Sequence, residues 1–306
     1  MRLSTLASII LFSGLISLMV GCATTEEESH KGLTEQQIYE RAQEKLDNRN
    51  WISAVTQLKL IEEHFPFGSF GEQSQLELIY ALYQAQEYEE SIANAERFIR
   101  LHPQHRNIDY AYYLRGLASF YQESRFTESL FGADNSSRDP GAAKDSFNHF
   151  ALFIQKFPNS PYAPDAQKRM IYLRNILART EIHTANYYFK RGAYIAAANR
   201  GNYVVQHFQG APAVPDALAV MAQAYHLMEM KELHDKAVAV LVKNYPKHPS
   251  LDENGVFDPK FYEKGKRRSL TSYLTFGLFE RKEIDGFDTR EQFNPMYFEE
   301  EAPALP

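Results

Sequence analysis

The feature that most constrains the fold of this chain is a helical frame that recurs along it. Residues 51–66, WISAVTQLKLIEEHFP, form the clearest copy: an apolar anchor, a small residue three positions later and a proline fifteen positions later. This pattern is typical of one amphipathic helix with a fixed stop. The five copies are Trp51/Ala54/Pro66, Tyr88/Ser91/Pro103, Ala143/Ser146/Pro158, Tyr194/Ala197 with Gln209 in place of the proline, and His234/Ala237/Pro249.

Each copy is predicted to be the second helix of a helix pair. The anchor packs on the preceding helix, the small residue allows close approach, and the proline cannot continue the helix. Helical periodicity predicts the partner helices from about Thr34 to Leu46 and at residues 73–86, 108–122, 164–190 and 213–230. No stretch alternates with a period of two, so no sheet is predicted. The predicted fold is all-α: an α-solenoid of five tetratricopeptide-like helix pairs, spaced more widely than the usual period of about 34 residues.

The N-terminus is predicted to be a targeting segment. Arg2 precedes an apolar run over residues 3–20 that ends at Gly21-Cys22. A transmembrane helix is the alternative, but the small, acidic residues 23–28 lack the basic flank of a retained helix. Residues 19–22, Met-Val-Gly-Cys, resemble a bacterial lipoprotein signal, which implies a covalent lipid on Cys22. Ala23 after the cysteine is similar to lipoproteins sent to the outer membrane.

The predicted organisation is a signal peptide at 1–21, a lipidated tether at 22–32, five repeats at 33–249 and an extension at 250–306. An insertion at residues 123–140 is either a binding loop or a loop that covers its own repeat. The extension carries an acidic turn, a basic cluster at 264–268, an apolar stretch at 270–279 and scattered aromatic residues. It either docks on a partner or a lipid surface, or caps the last repeat; the cap is the preferred interpretation.

Beyond a repeat class, the chain resembles the BamD family, lipoproteins of the outer-membrane β-barrel assembly machinery. The resemblance runs from Cys22 to about Pro249. Its motifs are Gly21-Cys22, NWISAVTQL at 50–58, FPFG at 65–68, LIYALY at 78–83, RFIRLHP at 97–103, NIDYAYYLRG at 107–116, an FG-D-RDP pattern at 131–140, PNSPY at 158–162 and RGAYIAAANR at 191–200. The extension after Pro249 departs from the family, whose members often end soon after the fifth repeat.

The resemblance implies a periplasmic scaffold that Cys22 anchors to the inner leaflet of the outer membrane. It implies that the chain binds the POTRA domains of BamA, with Arg200 at the position of the family arginine that contacts BamA. Accessory lipoproteins of the BamC and BamE type are further implied partners. The family is thought to take unfolded outer-membrane proteins and to recognise their C-terminal β-signal with the N-terminal repeats.

A substrate groove is predicted on physical grounds. A β-signal ends in an aromatic residue and a carboxylate, so aromatic and basic side chains near the first repeats are its natural partners. The candidates are Phe65, Phe67, Tyr80, Tyr83, Arg97, Tyr110 and Arg115. For each of them the alternative is an interhelical core position. The FPFG turn at residues 65–68 is the first place at which substrate contact is expected.

No catalytic role is predicted. The chain has no Gly-rich phosphate loop, no dinucleotide fingerprint and no H-E-x-x-H motif. His102 and His105 flank Pro103 without further ligands, so no metal is expected, and no cofactor beyond the lipid. The net charge of −6 gives no footprint for nucleic acid. The alternative function is another periplasmic lipoprotein repeat adaptor, for example one serving peptidoglycan machinery.

Overall fold

The computed structural model of the chain describes residues 32–128, 140–262 and 286–289. Cys22 and the signal peptide, residues 129–139 of the insertion, the basic cluster and the apolar stretch of the extension lie outside the described residues. The described part contains ten helices. They are α1 (Glu35–Asp47), α2 (Trp51–His64), α3 (Gly71–Gln84), α4 (Tyr88–Leu101), α5 (Ile108–Glu128), α6 (Gly141–Lys156), α7 (Ala163–Lys190), α8 (Tyr194–His207), α9 (Val214–Leu227) and α10 (Lys231–Asn244).

The helices confirm the predicted fold class. In chain order, the copies of the repeat frame fall on every second helix, α2, α4, α6, α8 and α10. The only β structure among the described residues is an isolated bridge between Leu251 and Phe257. None of the described helices is both long enough and apolar enough to span a membrane.

The chain divides into two compact units, residues 1–85 and 86–306. In the first unit, α1 begins near Thr34 as predicted, and its start is a capping box. Thr34 Oγ1 accepts a hydrogen bond from the Gln37 N–H, and Gln37 Oε1 accepts one from the Thr34 N–H at 2.9 Å. Helices α1, α2 and α3 pack in sequence. Their shared core is Ile38, Ala42, Ala54, Leu58, Ile61, Leu78, Ala81 and Leu82.

The frame explains how the second helices pack. In the first four copies the residues three, seven and ten positions after the anchor are all buried, because these offsets lie on one face of a helix. They are Ala54, Leu58 and Ile61 in α2; Ser91, Ala95 and Phe98 in α4; Ser146, Phe150 and Phe153 in α6; and Ala197, Gly201 and Val204 in α8. The small residue at the first of these positions is fully buried in every one of the four copies.

The last copy has a different register from the predicted one. Helix α10 begins at Lys231, and the proline that follows its C-terminal cap is Pro246, not Pro249. By its first residue and its proline, the frame therefore starts three residues earlier than expected and places His234 at the small-residue position. Ala237, the small residue of the predicted copy, is nevertheless buried, together with Leu241. Nδ1 of His234 lies 2.9 Å from the carbonyl oxygen of Ala222 on the preceding helix. A polar contact to the backbone thus takes the place of close apolar packing.

The second unit contains α4 to α10, each packed on the next. Helix α5 continues to Glu128, so the first part of the segment predicted as an insertion is helical, and the 28 residues of α7 account for much of the wide spacing before α8. Described residues of the extension join the core of the last helices. Phe257, Tyr262 and Phe287 are buried together with residues of α7, α8, α9 and α10.

Candidate functional site

Arg200 is held in place on the surface of the fourth helix pair. Helix α8 presents it toward α7, where its Nη1 donates to Glu181 Oε2 at 2.9 Å and its guanidinium lies 5.9 Å from the ring centre of Tyr188. The hydrogen bond to Glu181 is the largest contribution to a raised pKa, so the positive charge is secure. The side chain remains 42% exposed. Arg200 is therefore oriented and still accessible.

Two more residues extend this surface into what we call the Arg200 cluster: Glu181, Tyr187, Tyr188, Arg191 and Arg200. The Tyr187 and Tyr188 rings lie 5.9 Å apart, and the Arg191 guanidinium lies 5.8 Å from the Tyr187 ring centre. Tyr187 is half exposed. Arginine and tyrosine are enriched at protein interfaces, where they supply much of the binding energy. The cluster therefore has the composition of a protein-binding surface.

The FPFG turn between α2 and α3 is fixed by a carboxylate that the sequence did not single out. Glu35 of α1 accepts hydrogen bonds from the backbone N–H groups of Ser69 at 3.1 Å and Phe70 at 2.7 Å. Gly68 lies so close to this carboxylate that a Cβ there would stand 2.1 Å from Glu35 Oε1. The ring of Phe70 stacks on Tyr39 at 4.3 Å. The turn is thus tied to α1 by both polar and aromatic contacts.

The predicted groove residues of the first unit have three different environments. Phe67, at the tip of the fixed turn, is fully exposed, whereas Phe65 packs against the core of the unit. Tyr80 is partly buried, with its ring edge-on to Trp51 at 5.7 Å. Tyr83 is only 6% exposed. Of these four, Phe67 is the residue that a ligand reaches without rearrangement, and Tyr83 has the environment of a core residue.

The candidates of the second unit also differ in exposure. Arg97 is partly buried, and its Nη2 donates to Asn94 Oδ1 at 2.7 Å on the same helix. The Tyr110 ring lies 5.2 Å from that of Tyr162. Both side chains are accessible in part, so both remain candidates for contact with a ligand.

Arg115 lies in the interior. It is 9% exposed, its Nη1 lies 3.8 Å from Glu96 Oε1, and its guanidinium lies 5.2 Å from the Tyr112 ring centre. Burial lowers the pKa of Arg115, and the charge of Glu96 opposes this shift. A guanidinium in this setting holds helices together, because its removal leaves an unfilled space beside the Tyr112 ring and takes away the ion pair to the exposed Glu96 carboxylate.

The structure reveals a buried charge network that sequence reasoning missed. Arg179 of α7 forms an ion pair with Asp216 of α9, and its Nη1 also lies 3.2 Å from Asp288 Oδ1. Asp216 Oδ1 lies 3.1 Å from His248 Nε2. Burial alone would raise the pKa of Asp216, but Arg179 and then His248 outweigh it, so this pKa lies below its ordinary value. The sequence signal for this network was a charged residue, Asp216, among the apolar residues 213–220 at the start of α9.

Among residues 32–128, 140–262 and 286–289, no three His, Cys, Asp or Glu side chains are grouped so as to hold a metal ion.

Comparison with known proteins places the chain in a family. The family model described as an outer membrane lipoprotein, YfiO, matches residues 31–241. Proteins named outer membrane protein assembly factor BamD are similar over most of their length. The one from Neisseria gonorrhoeae is 40% identical over 231 residues, which are 76% of this chain and 86% of that protein. The one from Vibrio cholerae is 35% identical over 234 residues, 76% of this chain and 97% of that protein.

The match and the fold agree. The family model covers α1 to most of α10, and the two relatives extend over at least 86% of their own length, so the similarity concerns the whole repeat region and not one repeat. On this evidence the chain belongs to the YfiO family of outer membrane lipoproteins, the family of the BamD assembly factors.

Proposed function

We propose that this lipoprotein acts in outer membrane protein assembly as a non-enzymatic scaffold anchored through a lipid on Cys22. In this proposal it binds the POTRA domains of a BamA-type barrel, associates with lipoproteins of the BamC and BamE type, and helps to receive unfolded outer-membrane proteins. The names of its relatives support the general role. The partner and substrate assignments rest on the residues described above.

The BamA assignment rests on one observation: the side chain of Arg200 is ordered by its neighbours and still exposed. Because Glu181 and Tyr188 already order its side chain, binding costs little further side-chain entropy. The guanidinium still has exposed N–H donors, which suit a carboxylate on the partner in a charge-assisted pair. Tyr187 and Arg191 next to it supply the apolar and planar surface that surrounds such a contact.

The substrate assignment rests on Phe67. The turn that carries it is fixed by Glu35, so a large apolar side chain is presented to solvent from a rigid support. An exposed ring on a preorganised turn suits an unfolded chain with aromatic residues at its C-terminus.

The partner assignment is tested with the Arg200→Glu variant. Lipidated wild-type chain and variant are used to capture partners from detergent-solubilised envelope, and affinity for purified POTRA domains is measured by calorimetry. We expect the variant to lose at least about a hundredfold in affinity, because reversal removes an attractive pair and adds a repulsive one. Lys243→Glu, an exposed reversal on α10, is the matched control and should bind normally.

Two results would contradict the proposal. Equal affinity of wild type and Arg200→Glu for POTRA domains would show that Arg200 does not contribute to this interface. Capture of cell-wall enzymes without any POTRA-containing barrel would favour the alternative, an adaptor for peptidoglycan machinery.

A further inference from the structure

Residues 286–289, Gly-Phe-Asp-Thr, which we call the tail motif, are seated against α7 and α9. Every residue of the motif contacts residues elsewhere in the chain. The Phe287 ring is fully buried, with ring centres of Phe189, Phe261 and Tyr262 at 5.7, 5.7 and 6.2 Å. Gly286 has φ of 104°, and a Cβ there would stand 2.4 Å from Asn186 Oδ1. A glycine followed by an aromatic residue is therefore required by shape.

The polar groups of the tail motif are matched as closely. The Phe287 N–H donates to Asn186 Oδ1 at 3.2 Å. The Asp288 carboxylate lies 3.2 Å from Arg179 Nη1 and 3.5 Å from His183 Nε2. Arg179, His183 and Asn186 follow one another at about one-turn intervals, so α7 presents all three along one face.

Helix α9 completes the contacts through a single carboxylate. Thr289 Oγ1 donates to Asp216 Oδ1 at 2.7 Å, and the Thr289 N–H lies 3.4 Å from Asp216 Oδ2. Backbone N–H groups at alternate positions, 287 and 289, therefore donate to side chains of two helices. One apolar pocket, one charge anchor and alternate backbone hydrogen bonds are how proteins recognise extended peptides.

The polar side chains that bind the tail motif and the motif itself belong to different parts of the chain. Arg179, His183, Asn186 and Asp216 lie within residues 31–241, which match the family model, whereas residues 286–289 lie outside it. The repeat region thus supplies the polar part of the receptor, Phe261 and Tyr262 of the extension complete its aromatic pocket, and residues 286–289 are its ligand.

We propose that α7 and α9 form a recognition site for extended segments in which glycine, an aromatic residue, a carboxylate and a hydroxyl follow one another. The chain fills this site with its own tail motif, which acts as a detachable intramolecular ligand. A docked tail motif blocks the site to any other segment of the same chemistry and ties α7 to α9, while a detached one opens it.

The test uses the full-length chain with Phe287→Ala and Asp288→Ala, which alter the ligand and leave the receptor intact. The probe is a fluorescein-labelled peptide with the sequence of residues 284–291, Ile-Asp-Gly-Phe-Asp-Thr-Arg-Glu. Fluorescence anisotropy should show that the variant binds the peptide. A peptide in which the residue corresponding to Asp288 is asparagine should bind at least about tenfold more weakly, because it loses a charge-assisted contact. Wild-type chain should also bind at least about tenfold more weakly, since its own motif competes at high effective concentration.

Two outcomes of this experiment would overturn the proposal. One is a variant with the helical circular dichroism of the wild type that does not bind the peptide. The other is equal binding by variant and wild type, which would place the peptide elsewhere on the surface.

A second measurement decides the matter if the double variant does not fold. Hydrogen exchange in the wild-type chain compares the amides of Phe287 and Thr289 with those of α9. A detachable ligand opens locally, so its amides should exchange faster than the α9 amides. Exchange at the same rate as α9 would mean that the tail motif is released only when the unit unfolds, which would overturn the proposal.

Discussion

Arg179 of α7 and Asp216 of α9 form an ion pair in which each side chain is only 1% exposed. Removing one partner of such a pair leaves a charge in the interior with too few counter-charges. We expect Asp216→Asn to lower the free energy of unfolding by about 3 kcal/mol, the lower end of the range for a broken buried pair, because Asp288 still lies near Arg179. Urea unfolding at pH 7 measures this. Asp235→Asn, which removes an exposed carboxylate paired with Lys231, should have little effect. A similar loss in both variants would contradict the prediction.

The same carboxylate predicts how stability depends on pH. Because the pKa of Asp216 is depressed in the folded state, its contribution to stability is complete above the ordinary carboxyl pKa of 3.8 and is lost as pH falls through the lower folded pKa. Wild-type chain should therefore lose stability below about pH 4. Asp216→Asn should show a smaller fall over the same range. Thermal unfolding measured between pH 7 and pH 3 gives the pH dependence of stability for wild type and Asp216→Asn. Parallel curves for the two proteins would show that the loss of stability at low pH does not come from Asp216.

Glu35 is expected to support the FPFG turn through its two hydrogen bonds to the backbone. Glu35→Ala should lower the free energy of unfolding by about 2 kcal/mol, because two N–H groups lose a charged acceptor. Gly68→Ala should lower the free energy of unfolding by a similar amount, because the added Cβ displaces the same carboxylate. The double variant should cost little more than either single one, because both changes break the same contact. Glu40→Ala on the same helix is the control. If the loss in the double variant equals the sum of the two single losses, Glu35 and Gly68 do not act through the same contact.

Phe67 is expected to contribute to substrate binding and not to stability. Phe67→Ala should lower the affinity for a peptide with the C-terminal β-signal of a barrel protein by about tenfold. This is the change expected when one anchoring side chain is removed from an interface. Its midpoint of unfolding should match the wild type, because the side chain is fully exposed. Ile52→Ala, at another exposed apolar position of the same unit, is the matched control. Equal peptide affinity for Phe67→Ala, Ile52→Ala and wild type would exclude the turn from the binding site.

Gly201 is expected to be required for the close packing of α8 on α9. In an ordinary helix, replacing glycine by alanine raises the free energy of unfolding by up to about 1 kcal/mol. Here a Cβ would stand 2.7 Å from the backbone oxygen of Ala217 and 2.9 Å from Met221 Cγ, and the backbone cannot move aside cheaply. Gly201→Ala should therefore lower the free energy of unfolding by about 1–3 kcal/mol, as measured by urea unfolding. Gln206→Ala, at an exposed position of α8, should be close to neutral; a stabilised Gly201→Ala would show that the helices are not in close contact.

Much of the fold follows from local patterns in the sequence. Trp51, Tyr88 and Tyr194 are the first residues of their helices, and the small residues that follow them are buried, as predicted from the spacing. Thr34 caps α1 because its hydroxyl and the Gln37 side chain lie within one turn of each other. Such signals are readable because helical periodicity, caps and proline stops act over only a few residues.

The candidate sites were predicted less completely. The family resemblance named Arg200, which is accessible. The physical argument for a groove named Phe67, which is also accessible, but it named Tyr83 and Arg115 as well, and these lie in the interior. An aromatic or basic residue on a helix faces either the core or the solvent according to the neighbouring helices. Composition alone does not distinguish these two environments.

The sequence alone determined the helices, their order along the chain and the resemblance to an outer membrane lipoprotein family, because each depends on patterns within one or two helices. The packing of distant segments determined the rest. Glu35 reaches Phe70, Arg179 meets Asp216, and the tail motif reaches Asn186 across 101 residues of chain. Buried charges of this kind are stable only where several partners converge, and that convergence is a property of the folded chain and not of any one segment.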